Sequence, residues 1–225
     1  MLADIIESTV TIIRNEFIKS VYETSVMMGI SFTISTILGI GLGFVLYLSS
    51  TRTFFEKALT LNKGLSSLIN LIRSIPFIIL VVFSLPLTFV LVGTKIGPIA
   101  ASVPLSIAAT VFLARLVEGA LKEVDPGVIE AALATGASNA LIVRRVLLVE
   151  AAPAIIRGLT ITFINLIGCS AMAGMVGGGG IGNLAIQYGY YRYESGVMIF
   201  TIILLVLLVQ IAQAAGDRIS KLLSH

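Results

Sequence analysis

The side chains that most often carry out catalysis are scarce in this chain of 225 residues. There is one histidine, His225, at the end of the sequence, and one cysteine, Cys169. A serine or cysteine nucleophile would have no partner histidine inside the chain, and a single cysteine cannot form an internal disulfide. Clusters of Cys and His that could hold zinc are also missing. We therefore expect no catalytic residue and no metal site.

The polar residues with the most informative spacing lie in the middle of the chain. Asp125-Pro126 predicts an N-cap followed by proline at the first helical position, and a short helix over 128–135 follows. Gly136 suits the left-handed residue that ends a helix, and Ser138 can cap the next one. The second helix carries apolar residues towards a proline: Leu141, Ile142, Val146, Val149 and Pro153.

The first of these helices presents short side chains and one charge. Ala131, Ala132 and Ala134 give a thin surface that another protein can approach closely, and Glu130 adds a fixed negative charge. Two interpretations follow from the residues alone. The segment is either a capped loop of a membrane protein or an element that a partner protein holds.

Composition assigns the elements around this segment to a membrane. Apolar residues make up 57% of the chain, charged residues make up 12%, and the mean hydropathy is +1.04. These values predict an all-α integral membrane protein. The opening residues include Asp4 and Glu7 and do not resemble a removable signal peptide. The net charge of +3 gives no reason to expect nucleic acid as a partner.

Long uncharged runs predict one transmembrane domain over 1–225 with five spans. The predicted spans are 24–48, 75–92, 96–114, 158–176 and 195–215. A mixed-charge tail over 1–23 is expected to lie on the membrane surface, and 123–157 forms a cytoplasmic loop. The helix of the third span is expected to continue into the cytoplasm, because Arg115, Glu118 and Lys122 share one helical face.

Glycine and proline mark particular points within the spans. Gly39, Gly41 and Gly43 indicate close helix packing. Pro76 and Pro86 indicate a kink in the second span. The glycine-rich run 177–182 lacks the lysine and hydroxyl residue of a phosphate loop, so we expect it to be flexible backbone that ends the fourth span.

The fourth span is the least apolar and carries polar residues on one face. Steps of three and four residues align Thr162, Asn165, Cys169, Met172 and Val176. Ser170 adds another hydroxyl to the same helix. Either these residues form hydrogen bonds between helices or they line a transport pathway, and the residues alone leave both readings open.

The distribution of basic residues predicts the orientation in the membrane. Eleven Lys and Arg residues fall in 49–73, in the central loop or in the last ten residues, whereas four fall on the other side. The positive-inside rule then assigns the N-terminus to the outside and the C-terminus and Glu130 to the cytoplasm. We expect a multi-pass protein of the bacterial inner (cytoplasmic) membrane, in contact with lipid.

The central segment resembles the EAA loop of ABC-importer permeases. The shared features are Glu130-Ala131-Ala132, then Gly136 after three intervening residues, and an apolar helix that ends near a proline. Val149 stands where that family often has proline. The resemblance implies a type I importer fold and identifies Glu130, Ala131, Ala132 and Gly136 as the coupling helix that docks on a separate ATPase.

Three further stretches resemble methionine-type permeases in particular: Arg73–Leu80, Ser170-Ala171-Met172 with the following glycines, and Gln187–Tyr190. This resemblance covers nearly the whole chain and implies import of L- and D-methionine. It also implies Met172 as a gate residue, with Asn165, Thr162 and Ser170 as pathway candidates. The implied partners are a second copy of the chain, two ATPase subunits that bind ATP and Mg, and an external substrate-binding lipoprotein. No cofactor is expected in the chain itself.

Other classes of membrane protein fit the residues less well. A permease for another small amino acid stays open, because no side chain here names methionine. A secondary transporter or channel would normally carry ionisable residues within its spans, and the five predicted spans hold none. A structural scaffold would not explain the central segment. The chain is therefore predicted to be a transport subunit and not an enzyme.

Overall fold

A computed structural model describes residues 2–50 and 59–223, and side chains within 7–50 and 62–223. The helices within these ranges are α1 Leu2–Ser50, α2 Leu59–Ser74, α3 Phe77–Val92, α4 Pro98–Lys122, α5 Pro126–Ala134, α6 Asn139–Ile142, α7 Leu148–Ala173, α8 Gly180–Leu184 and α9 Ser195–Leu223. Turns of π-helix occupy Val143–Leu147, Gly174–Gly178 and Ala185–Tyr190. The all-α prediction is confirmed. Arg52, Lys57 and His225 lie outside the described residues.

Four segments are long and apolar enough to cross a membrane: Glu7–Ser50, Pro98–Lys122, Asn139–Gly178 and Ser195–Leu223. A fifth crossing is available if Asn62–Ser74 and Phe77–Val92 count as one broken span, with a bend of 110° between them. Pro76 lies at this bend and starts α3, because its ring cannot donate the backbone hydrogen bond that would continue α2. The exact limits of the predicted spans remain predictions.

The N-terminal tail differs from the expectation of a separate surface segment. Residues 2–23 form the first part of α1, which continues without a break to Ser50. Tertiary contacts hold it: the Ser8 hydroxyl donates to the Glu194 carboxylate at 3.0 Å, and the Phe17 ring meets the edge of Phe200 at 5.6 Å. At 1.5 Å per residue this helix is roughly 70 Å long, so it extends well beyond a hydrocarbon core of about 30 Å.

The crossing of α1 and α4 forms the centre of the bundle. A Cβ atom on Gly39 would lie 2.9 Å from Leu113, and one on Gly43 would lie 2.6 Å from Val117. These two glycines therefore allow the helix axes to approach closely, as the sequence predicts. Gly41 has no atom within 4 Å of that position and takes no part in the contact.

A buried cluster at one end of this crossing supports the central segment. It includes Tyr47, Leu121, Ile142 and Leu147 from α1, α4, α6 and the first π turn. The helix of Leu141 and Ile142 does not end near Pro153 as expected. It runs through the π turn into α7 and continues to Ala173.

Packing on both sides of Pro153 explains why the helix continues. Ala151 and Ile155 are buried in the same cluster as Ile142, so the chain is held in place before and after the proline. The Ser220 hydroxyl of α9 also donates to the Pro153 carbonyl at 3.0 Å. The helical hydrogen bond that Pro153 cannot make is the one to the Val149 carbonyl, so it is these contacts with neighbouring residues and helices that stabilise the chain around the proline.

Candidate coupling segment and transport pathway

The segment from Asp125 to Ser138 is built almost entirely from local hydrogen bonds. The Asp125 carboxylate accepts from the Gly127 N–H at 2.8 Å, and Pro126 is the first helical residue. Gly136 has φ +78°. Its N–H donates to the Leu133 carbonyl at 2.9 Å, and the next N–H donates to the Ala132 carbonyl at 3.1 Å. This pair of bonds is a Schellman motif, which ends α5 as the glycine predicts.

The start of α6 is also capped as predicted, because the Ser138 hydroxyl accepts from the Leu141 N–H at 3.4 Å. A helix, a bend and a second helix therefore follow one another within 17 residues, from Pro126 to Ile142. The short bend fixes the direction of α5 relative to the buried end of α6. The segment is a preformed surface element.

One face of α5 is anchored and the other is exposed. Ile129, Ala132 and Ala137 pack against the buried cluster around Ile142. Glu130, Ala131 and Gly136 are exposed. Of the four residues predicted to couple, Ala132 therefore supports the helix from below while the other three face outward.

Exposed apolar side chains flank Glu130 on this surface. Val128 is 39% exposed, Leu133 37% and Leu141 49%. Exposed apolar side chains close to Glu130 in the chain are of the kind that a contact with another protein can bury. α4 precedes α5 in the chain, and α6 leads through a π turn into α7, so the segment is connected to the bundle at both ends.

An ion-pair network connects α4 with α2 near this surface. The carboxylate of Glu118 accepts from Arg115 and from Lys122, each at 2.7 Å, and its side chain is buried. Arg115 also donates to the Ser66 carbonyl and to the Asn70 side chain of α2, each at 3.0 Å. The predicted shared face of Arg115, Glu118 and Lys122 is present. The structure adds that this face binds α2.

The predicted pathway residues of the fourth span divide into two groups. Thr162, Asn165 and Cys169 line one cavity of about 380 Å³. Thr162 is buried and donates to the Gly158 carbonyl at 2.8 Å, whereas Asn165 is exposed and accepts from the Cys169 thiol at 3.4 Å. Ser170 is buried outside the cavity and donates to the Ile167 carbonyl, and Met172 is 41% exposed on the surface of the chain.

The other walls of this cavity come from the α2–α3 bend and from α4. Arg73 and Phe77 flank the bend, Phe112 lies on α4, and the Arg73 guanidinium carbon is 6.0 Å from the centre of the Phe112 ring. Sequence reasoning did not identify Arg73 or Phe112 as site residues. The available signal was a basic residue three positions before a proline, at the start of an apolar run.

The glycine turn, Gly174–Gly182, is tightly packed, contrary to the expectation of flexible backbone. It does break the helix, with φ +94° at Gly177 and +77° at Gly179. The Glu23 carboxylate accepts from the Gly180 N–H at 2.7 Å, and the Thr24 hydroxyl accepts from the Ile181 N–H at 2.9 Å.

Steric contacts hold the same turn from the inside. A Cβ atom on Gly174 would lie 2.7 Å from backbone atoms of Asn183 and Gly179, and one on Gly182 would collide with the backbone of Ala171. The Gly177 carbonyl also accepts from the Gly97 N–H at 2.9 Å. Glycine is present here because the backbone is crowded.

The broken span, the exposed capped helix and the cavity with a few polar groups in an apolar lining are features of a membrane transport subunit. A family model for the inner membrane component of binding-protein-dependent transport systems matches residues 35–225. The chain belongs to this family. It is therefore a multi-pass inner membrane component of a transport system and not an enzyme.

Individual relatives agree with this assignment over most of the chain. A probable D-methionine transport system permease protein from Vibrio cholerae, MetI, is 44% identical over 92% of both chains. The methionine import system permease protein MetP of Bacillus subtilis is 42% identical over 80% of both. A solved structure of the MetNI methionine ABC transporter in an inward-facing conformation has a TM-score of 0.89 and 43% identity, covering 95% of this chain and 98% of that one. The predicted type I ABC-importer permease fold is confirmed.

Proposed function

We propose that this chain is the membrane-spanning subunit of an ATP-driven importer that carries L- and D-methionine across the inner membrane. The named functions of the Vibrio and Bacillus relatives support methionine as the substrate, at 44% and 42% identity. The ATP and Mg would be bound by separate ATPase subunits. The predicted binding-protein partner, a lipoprotein, would deliver methionine from outside.

The exposed face of α5 is the observation that carries the coupling role. Glu130 and Ala131 project from a helix that is rigidly capped at both ends, and Gly136 sets the bend that follows. A preformed helix with small side chains can enter a cleft of an ATPase without ordering itself first, which lowers the cost of binding. Ala132 would transmit movement of the ATPase to the bundle, because it packs on the buried cluster.

A second copy of the chain would complete the pathway. Met172 is exposed on the surface of one chain, where a gate between two related copies would require it. Asn165 and Thr162 line the cavity and lie about two to three turns before Met172 on the same helix. Ser170 stabilises the helix beside the gate through its bond to the Ile167 carbonyl. The assembly would contain two permease chains and two ATPases.

The orientation predicted from basic residues suits this arrangement. Arg144 and Arg145 are exposed and belong to the same central loop as Glu130, so by the positive-inside rule α5 would face the cytoplasm, where ATP is. The N-terminus would lie outside and the C-terminus inside. The long α1 would then extend towards the external binding protein.

Motion would pass from α5 to the cavity through contacts already described. Closure of the ATPase dimer on ATP would draw the two α5 helices together. The Arg115 bonds to α2 would carry this movement to the α2–α3 bend, which lines the cavity. ATP can drive the change because it binds the closed state more tightly than the open one.

Uptake of labelled methionine into vesicles tests the proposal. The vesicles contain this chain, its ATPase and its binding protein, and the variants are Glu130→Ala and Gly136→Pro. We expect ATP-dependent uptake that falls at least tenfold in both variants while membrane insertion is unchanged. Asp217→Ala, which removes an exposed acid on α9, is the matched control and should keep full uptake.

Each alternative gives a different result in the same assay. Uptake of another amino acid in place of methionine would keep the transport mechanism and reject the substrate. Uptake that persists without ATP would reject the importer. Full uptake in Glu130→Ala would reject the coupling role of α5.

A further inference from the structure

We propose that the 380 Å³ cavity between the α2–α3 bend, α4 and α7 is a substrate site within the permease, in which Arg73 binds the carboxylate of an α-amino acid and Asn165 binds its amino group. This inference rests on the proposed function, since it assigns a site to the substrate of the same importer.

The size and walls of the cavity suit a small amphipathic molecule. Its volume lies within the range of small-molecule sites, which is roughly 300–1,000 Å³. Phe77, Leu80 and Leu166 supply an apolar wall for an unbranched or thioether side chain. Polar groups are few and lie on other parts of the lining, so the two ends of a ligand would meet different surroundings.

Positive potential is concentrated where the α2–α3 bend meets the cavity. Arg73 is the only charged residue among the described residues that line it, and no carboxylate in the described part of the chain lies within ion-pair distance of its guanidinium. The Phe112 ring holds this group at the wall, at 6.0 Å. A guanidinium without an anionic partner can bind a carboxylate through two parallel hydrogen bonds.

The start of α3 adds to this potential. No side chain caps the helix, and Pro76 and Phe77 at its first turn line the cavity. The N-terminal end of a helix carries partial positive charge and favours a bound anion. Arg73 and the helix end therefore act on the same part of the cavity.

The amino group of a ligand has one suitable acceptor. The Thr162 hydroxyl already gives its proton to the Gly158 carbonyl. Asn165 accepts only the weak thiol donor of Cys169, at 3.4 Å, so its carbonyl oxygen has capacity for an ammonium group. An amide in place of a carboxylate keeps binding weak, which a site along a transport path requires if the substrate is to leave.

Photolabelling of the assembled transporter tests this site directly. The probe is a diazirine analogue of methionine that keeps both the amino and the carboxyl group. In the parent protein we expect label on peptides from Phe77–Val92 and from the Asn165 region, with protection by excess L-methionine. Methioninol, which lacks the carboxylate, should protect at least tenfold less well.

Variants of the two polar residues separate their roles. Arg73→Gln should reduce this labelling at least fivefold, Arg73→Lys should restore part of it, and Asn165→Leu should also reduce it. Arg192→Gln is the matched control, because Arg192 does not line the cavity and its guanidinium carbon lies 4.6 Å from the centre of the Tyr188 ring. Labelling of this variant should equal that of the parent. Size-exclusion chromatography with the ATPase subunits verifies that each variant assembles.

The outcomes distinguish the site from the function on which it rests. The site would be overturned, and the importer kept, if parent vesicles take up methionine with ATP but the cavity is not labelled. The same conclusion would follow if labelling is unchanged in both Arg73→Gln and Asn165→Leu. Vesicles without ATP-dependent uptake of methionine would instead overturn the proposed function.

Discussion

The candidate coupling segment, Asp125–Ser138, and the glycine turn, Gly174–Gly182, are both sharp changes of chain direction, yet they are held in opposite ways. The coupling segment takes its bonds from residues within five positions of one another, such as Asp125 with Gly127 and Ala132 with Ala137. The glycine turn depends on Glu23 and Thr24, which are 157 positions away. A local turn can project from the surface, whereas a turn held by distant helices must be buried among them.

This difference predicts how each region responds to substitution. Changes in the coupling segment should alter one element and leave the bundle intact. Changes in the glycine turn should disturb α1, α7 and α8 together, because all three meet there. The following variants test the contrast, from the largest expected effect to the smallest.

Gly182→Ala should have the largest effect, because its methyl group would collide with the backbone of Ala171. Backbone cannot move aside as a flexible side chain can, and we expect a loss of about 3 kcal/mol. The measurement is the thermal unfolding midpoint of the detergent-purified protein. Gly168→Ala, with no atom within 4 Å of the new methyl group, is the control and should be neutral or slightly stabilising. Equal midpoints for the two variants would contradict the crowding of the turn.

Glu23→Ala should weaken the glycine turn by about 1–3 kcal/mol, because the Gly180 N–H would lose a charged acceptor. Hydrogen exchange at residues 180 and 181 should accelerate at least tenfold, while exchange in α5 stays unchanged. Glu23→Gln keeps an acceptor oxygen and should show a smaller increase. Exchange that rises equally in α5 would show that the two regions are not independent.

Gly136→Ala should cost about 1 kcal/mol, since φ +78° is unfavourable for a residue with a Cβ atom. Space is not the cause, because no atom lies within 4 Å of the new methyl group. We expect roughly fivefold faster hydrogen exchange in α5 and no change in the thermal midpoint. Gly136→Asn, which tolerates this conformation better, should fall between Ala and the parent; an order reversed between Asn and Ala would refute the conformational explanation.

Asp125→Ala should have the smallest effect, about 0.5–1 kcal/mol, because it removes one exposed N-cap from α5. The first turn of α5 should exchange about threefold faster, and methionine uptake should fall only slightly. Asp125→Ser retains a capping oxygen and serves as the control. A global loss of stability in Asp125→Ala would mean that the segment supports the bundle as well as the partner surface.

Interactions between residues close in the chain were sufficient to predict the conformation of the candidate coupling segment and which residues share a helical face. The caps at Asp125 and Ser138, the left-handed Gly136 and the shared face of Arg115, Glu118 and Lys122 all follow from interactions between residues near one another in the chain. Composition was sufficient for an all-α membrane protein, because apolar runs of this length have few other stable forms.

Contacts between residues far apart in the chain could not be predicted from the sequence in the same way. Residues 2–23 belong to α1, and Ser8 and Phe17 contact partners near the start of α9 that the sequence of the tail does not identify. The helix passes Pro153 because other helices bury its flanks. Arg73 meets Phe112 and Asn165 at one cavity only after the chain bends by 110° at Pro76.

The sequence by itself therefore determined the class of protein and the conformation of the exposed candidate coupling segment, since both depend on composition and on bonds between neighbours. Only the tertiary structure decided which glycines are crowded, how far α1 extends and which side chains share the cavity. Those features arise where helices far apart in the chain meet, and their energy depends on shapes that no single segment contains.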